Sequence, residues 1–183
     1  MNLADHFRAM AHNNAWSNAR LHKSCARLTA VEFCRERVSY FPSLQRTLHH
    51  ILIVDRNYIA DLAGPGRAGV VPIPPGDAAE IAAAQVESDA ALTALCRHLD
   101  ESALARAVAI DRCDGKEYDG KEYVETAGAI LAHLFVHQIH HRGQAHAMLA
   151  GTEAAPPQLD EFFLASDAPL RDAELRHLGL PLP

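Results

Sequence analysis

His133-Leu134-Phe135-Val136-His137-Gln138-Ile139-His140-His141-Arg142-Gly143-Gln144-Ala145-His146 lies within a longer run, Thr126 to Ala150, that decides the fold. At about 100° per residue, Ile130, Leu134, Ala145 and Met148 fall together within roughly 60° of arc, an apolar stripe of helical period. The run is far too long for a strand, and Gly151 is a natural helix stop. A helix of this length with one apolar stripe needs other helices to cover it.

Three further segments supply them. The first runs from about Leu3 to Leu28, with Phe7, Met10, Asn14, Leu21 and Leu28 recurring at threes, fours and sevens. The second opens after Phe41-Pro42-Ser43, where Ser43 can cap the free amides, and Gly64-Pro65-Gly66 stops it after Ala63. The third opens at Asp77 with Glu80 three residues later, a capping-box signal, and runs to about Leu99. Between the second and third, Gly64 to Gly76 holds Pro65, Pro72, Pro74 and Pro75, a crossover too long for a tight helical hairpin. Ala105 to Arg112, containing Ala-Val-Ala-Ile, is expected to be a short strand. It is followed by a tandem repeat, Asp114-Gly-Lys-Glu-Tyr118 and Asp119-Gly-Lys-Glu-Tyr123, which reads as a duplicated hairpin tip. After Pro156-Pro157, short helical turns are expected around Phe162 and Leu175. The expectation is an all-α chain: an antiparallel four-helix bundle with a long crossover and a short β-hairpin before the last long helix, residues 1–183 forming a single domain.

Five histidines stand in the fourteen positions from His133 to His146. From His133, His137 lies about 40° and His141 about 80° round the helix, inside the apolar stripe. Imidazoles buried there need partners. The two are one turn apart, a rise of about 6 Å, and can converge on one metal ion. His133 and His140 lie at the stripe's edge, and His146 points away. The second helix offers His49 and His50; the neighbours of His50 are the more apolar, which makes it the better inward candidate, although a wheel does not separate adjacent histidines. Three neutral imidazoles with an open fourth position suit a divalent ion, zinc or nickel foremost, then iron or manganese. Gln144 either orients a ligand from outside the coordination shell or is a polar residue at the stripe's edge. Asp55 and Tyr58 are the nearby acid–base candidates, and Asp55 reads equally as a structural carboxylate paired with an arginine; no catalytic residue is assigned.

Composition limits the alternatives. Of 183 residues, 49% are hydrophobic and 22% charged, which excludes a disordered chain. The net charge of −6 without a Lys/Arg cluster is a poor match for nucleic acid. No apolar stretch approaches the roughly 18 residues of a membrane span, and the first residues lack a secretory apolar core. Cys25, Cys34, Cys96 and Cys113 form no C-x-x-C pair. A reduced, cytoplasmic protein is expected.

Three stretches carry a family resemblance: Met10-Ala-His-Asn-Asn-Ala-Trp16-Ser-Asn18, Leu48-His-His50-Ile-Leu-Ile-Val-Asp55-Arg56, and the His133–His146 segment with its His-x-x-x-His-Arg-Gly-Gln form. Together with Pro156-Pro-Gln-Leu-Asp160 they resemble the DinB/YfiT-like family of metal-dependent bundle proteins over nearly the whole chain. The resemblance implies an up-down-down-up bundle, often dimeric, and a three-histidine site at His50, His137 and His141. It also implies a small-molecule substrate, with some relatives using low-molecular-weight thiols for transfer or isomerisation. Two functions follow as expectations. One is a metalloenzyme with transferase, hydrolase or isomerase chemistry on a metal-activated water or thiol. The other is a metal-binding stress-response protein without turnover. The wheel also puts Phe135, Val136 and Ile139 outside the histidine-bearing stripe, a second apolar face that, with the resemblance, points to a homodimer.

Overall fold

The computed structural model of the chain describes residues 2–64, 66, 70, 74–110, 123–160 and 164–179. It is mostly helical with a small two-stranded sheet. The elements are α1 (Leu3–Cys25), α2 (Ala30–Cys34), α3 (Leu44–Ala63), α4 (Ala78–Arg97), α5 (Glu101–Ala105), β1 (Ala107–Ile110), β2 (Tyr123–Thr126), α6 (Ala127–Leu149) and α7 (Ala168–His177), the last preceded by a single 3-10 turn at Ala165–Asp167. No helix among the described residues is long and apolar enough to cross a membrane.

The caps lie where the local chemistry requires them. Ser43 and Thr126 accept the first free amides of α3 and α6 through their hydroxyls, from Arg46 and Ala129 respectively. Asp77 and Glu80 form a reciprocal capping box at the start of α4. Gly64 ends α3 at φ 105°, in the left-handed region that a side chain disfavours.

Several boundaries differ from the sequence reading. The first helix stops at Cys25, and Thr29 caps the separate five-residue α2, so Leu28 lies in a turn that packs on the core from outside. The third long helix stops at Arg97, and Asp100 caps α5 immediately after it. The expected strand is four residues long and pairs antiparallel with β2, Ala107 opposite Thr126 and Ile110 opposite Tyr123. The tandem repeat up to residue 122, Cys113 and the expected turn at Phe162 lie outside the described residues. Leu175 sits in a ten-residue helix rather than a short turn, buried against the rest of the chain.

The long helices pack pairwise: α1 against α4 and α6, and α3 against the same two. Their apolar residues form two separate clusters. One gathers Phe7 of α1, Leu62 of α3, Leu92 of α4, and Leu131, Leu134 and Phe135 of α6. The other gathers Leu21, Leu48, Leu52, Ile81 and Leu149. In each long helix the residues between the two clusters are polar and buried: Asn14 and Asn18, Asp55, Gln85 and Asp89, Gln138 and Arg142. These side chains bond to one another across all four helices. Asn14 and Asn18 donate to Asp89 at 3.0 and 2.9 Å. The Gln85 amide donates to Asp55 at 2.8 Å and to Asp89 at 3.1 Å. Arg142 donates to Asn14, and to Asn18 and Gln138 at 3.1 and 3.2 Å. Such a layer is tolerable in a core because most of its groups bond to one another, although Asp55 Oδ1, Gln85 Oε1 and Gln138 Nε2 find no hydrogen-bond partner.

Candidate metal centre

His50 lies in the second turn of α3, whose first turn is held by the Ser43 cap and by the Thr47 hydroxyl donating to the Ser43 carbonyl at 2.9 Å. His137 and His141 lie one turn apart on α6, the helix that packs on α3. The three rings meet. Ring centroids are 4.4 Å apart for His137 and His141, 4.6 Å for His50 and His141, and 5.0 Å for His50 and His137. One ring nitrogen from each lies within 4.8 Å of the other two, and His50 Nε2 faces His137 Nε2 at 3.0 Å. Four-coordinate zinc with nitrogen bonds of 2.0–2.1 Å separates its ligand nitrogens by about 3.3 Å, so this donor set fits an ion after small ring rotations.

Protonation favours the same use. Burial, and then the neighbouring histidines, push His137 down to about 3 and His50 down to about 4. His141 is lowered as well, mainly by burial, against the opposing pull of its bond to Gln144. All three are therefore neutral at pH 7 and present lone pairs rather than charge.

Gln144 settles which nitrogen His141 offers. Its amide oxygen lies 2.8 Å from His141 Nδ1, and its amide nitrogen lies 3.0 Å from His140 Nε2. An amide oxygen only accepts, so His141 Nδ1 carries the proton and Nε2 is left free as a donor of electrons. The bond to His141 is the one the orienting reading of Gln144 expects.

The remaining candidates fall as follows. His49 is half-buried next to the cluster but is not part of it. His133 is exposed, its ring edge-on to Tyr58 at 5.6 Å and 6.4 Å from His137. His146 turns to the tail, with Nε2 2.9 Å from the Pro157 carbonyl. Asp55 is buried in the polar layer and bonded to Gln85; the Arg142 charge acts on it, while the Arg142 guanidinium itself donates to Asn14, Asn18 and Gln138. Burial, and then Asp89, raise Asp55 to about 7, and burial raises Asp89 to about 6. Cys25 and Cys96 are free but buried, which pushes both thiols up to about 12 and makes them poor nucleophiles.

The sequence reading missed the polar layer except for Asp55 and its mention of Asn14. A signal for it exists: polar pairs one turn apart, Asn14/Asn18, Gln85/Asp89 and Gln138/Arg142, interrupt the apolar faces of three helices. The His-Arg-Gly-Gln run now has a division of labour. His141 faces the cluster, Arg142 enters the polar layer, Gly143 is exposed with open space around it, and Gln144 turns back to hold His141.

The family model described as the DinB family matches residues 2–172. The chain belongs to the DinB family. All three clustered histidines, the polar layer and the first half of α7 fall within the DinB match. No curated protein matches the chain.

Proposed function

We propose that His50, His137 and His141 hold one divalent metal ion, zinc or nickel before iron or manganese, and that this DinB-family chain is a metal-dependent enzyme acting on a small molecule. The observation that carries the reading is the convergence of three neutral imidazoles, one of them with its tautomer fixed by Gln144. When bound, the ion supplies Lewis acidity that activates a water or a low-molecular-weight thiol for transfer, hydrolysis or isomerisation. The chain's own residues fix the ligand geometry from two helices. Phe41, 4.2 Å from the His50 ring and 5.6 Å from His141, shields one side of the cluster from water. The half-exposed placement of His50 and His137 leaves the other side approachable.

The scaffold in this reading is a single antiparallel up-down-down-up four-helix bundle in the cytoplasm. The two apolar clusters support it: the first uses the N-terminal halves of α1 and α6 with the C-terminal halves of α3 and α4, and the second uses the opposite halves.

Metal binding without turnover is the second reading. It is favoured by the position of Asp55, which is engaged in the polar layer instead of standing free as a base. A screen of the zinc- and nickel-loaded protein for thiol transfer to electrophiles and for ester hydrolysis separates the two. Turnover that disappears with a chelator and in His141→Ala supports the enzyme. Full metal loading with no turnover across the screen supports the binder.

A further inference from the structure

The α2–α3 connection carries more apolar surface than a loop needs. Val38 is fully exposed and Tyr40 is 76% exposed, yet neither is free to fold inward. Arg37 ties the loop at its base. Its backbone amide donates to the Pro42 carbonyl at 2.7 Å, closing the segment from 37 to 42. Its guanidinium donates to the carbonyls of Glu32 and Arg35 at 2.8 and 2.9 Å and to the Glu32 carboxylate at 2.8 Å. The loop tip is thus held out beside the three histidines. Phe41 lies over His50 and His141, and Tyr40 meets Phe41 edge-on at 4.9 Å and 87°. His141 also neighbours a polar group, the exposed His140, whose ring lies 4.8 Å from it and is held by Gln144.

We propose that Tyr40 and Phe41 form a substrate-binding lip, and that the substrate carries a neutral aromatic or comparably flat apolar group next to the atom that meets the metal. This rests on the metal-site reading above. Ligand sites are lined mainly by apolar and aromatic side chains with a few fixed polar groups, and Tyr40 and Phe41 with the nearby His140 supply that combination. Tyr40 and Phe41 carry no charge, and the Arg37 guanidinium behind them is engaged by Glu32. A flat ring placed on the lip gains both burial and edge or face contact with Tyr40 and Phe41.

The test uses the full-length zinc-loaded protein and two probes with the same metal-binding head, acetohydroxamate and benzohydroxamate, titrated calorimetrically. Wild type is expected to bind benzohydroxamate roughly tenfold more tightly, the combined effect of ring burial and aromatic contact. In Tyr40→Ala and Phe41→Leu the ratio is expected to fall to about twofold, with zinc content retained. A wild-type ratio near one, or a ratio unchanged in both variants, overturns the proposal while leaving the metal site standing. Equal weakening of both probes assigns the lip to packing around His50 and also overturns it. Failure of wild type to take up zinc overturns the metal reading and this proposal with it.

Discussion

Gln144 holds His141 by its oxygen and His140 by its nitrogen, so replacing it tests orientation without touching a ligand. Gln144→Leu is expected to weaken metal binding about 10–100-fold, the usual cost of losing an outer hydrogen-bond partner. Gln144→Glu, which still accepts from Nδ1, should recover most of it; competition against a chromophoric chelator measures both. Asp55 and Asp89 make a separate prediction. A carboxyl raised from 3.8 to about 7 on folding takes up a proton in the folded state. Its contribution therefore favours folding on the acid side and is lost as pH rises through about 7. The histidines His22, His50 and His137 act oppositely: their contribution is lost as pH falls below about 6.5, toward about 4 and 3. Because the two sets oppose each other over much of the same range, the carboxylate is read from the difference between wild type and Asp55→Asn. The thermal midpoint of chelator-treated wild type, measured relative to that of Asp55→Asn, should fall as pH rises from about 4 through about 7. An identical slope in the variant contradicts the assignment. The contrast between these two groups also shows what the sequence makes legible. His137 and His141 are legible as a pair, because two imidazoles one turn apart in an apolar stripe share one face of the helix. Asp55 does not, because its role depends on Gln85 and Asp89, thirty or more positions away on α4.

At the scale of elements, α6 offers a clean measurement. Gly143 sits within the helix, exposed, with nothing within 4 Å of where a Cβ would stand. Gly143→Ala should therefore stabilise the chain by about 0.5–1 kcal/mol through helix propensity, measured by denaturant melts in the Ile139→Glu background because Gly143 lines the same groove as Ile139. Destabilisation in that background would mean that something within the chain packs on this position. The tandem repeat gives another. Deleting Asp119 to Tyr123 removes the first residue of β2, but Tyr118 then precedes Val124 and supplies the same residue opposite Ile110. The thermal midpoint should move by a few degrees at most, since shortening a loop changes closure entropy slightly; a large loss of helicity contradicts this. The long helices were readable to within two or three residues because their caps and stops are chemical: Ser43, Asp77 with Glu80, Thr126 and Gly64. The five-residue α2 and α5 were not, since one turn and a half carries no periodicity; their Thr29 and Asp100 caps were the available signal.

For the whole molecule, the sequence points to a second apolar face on α6, and the structure narrows it. Phe135 stacks on Phe7 at 6.0 Å inside the core, because α6 is covered by both α1 and α3 and its buried arc is wider than one stripe. Val136 and Ile139 remain 66% and 52% exposed, and Ile139 shares a groove of about 480 Å³ with Met10, Gly143 and Pro157. The expected outcome is a two-fold dimer closing over this face. Light scattering at micromolar concentration should give twice the chain mass, and Ile139→Glu should halve it; a single-chain mass that does not change on concentration contradicts the dimer. The central claim, however, is the metal. Protein purified without a histidine tag, dialysed against zinc and analysed for bound elements, should carry one divalent ion per chain. His50→Ala, His137→Ala and His141→Ala should each lose nearly all of it while keeping their helicity. No bound metal in wild type, or full occupancy in any one of the three variants, contradicts the account.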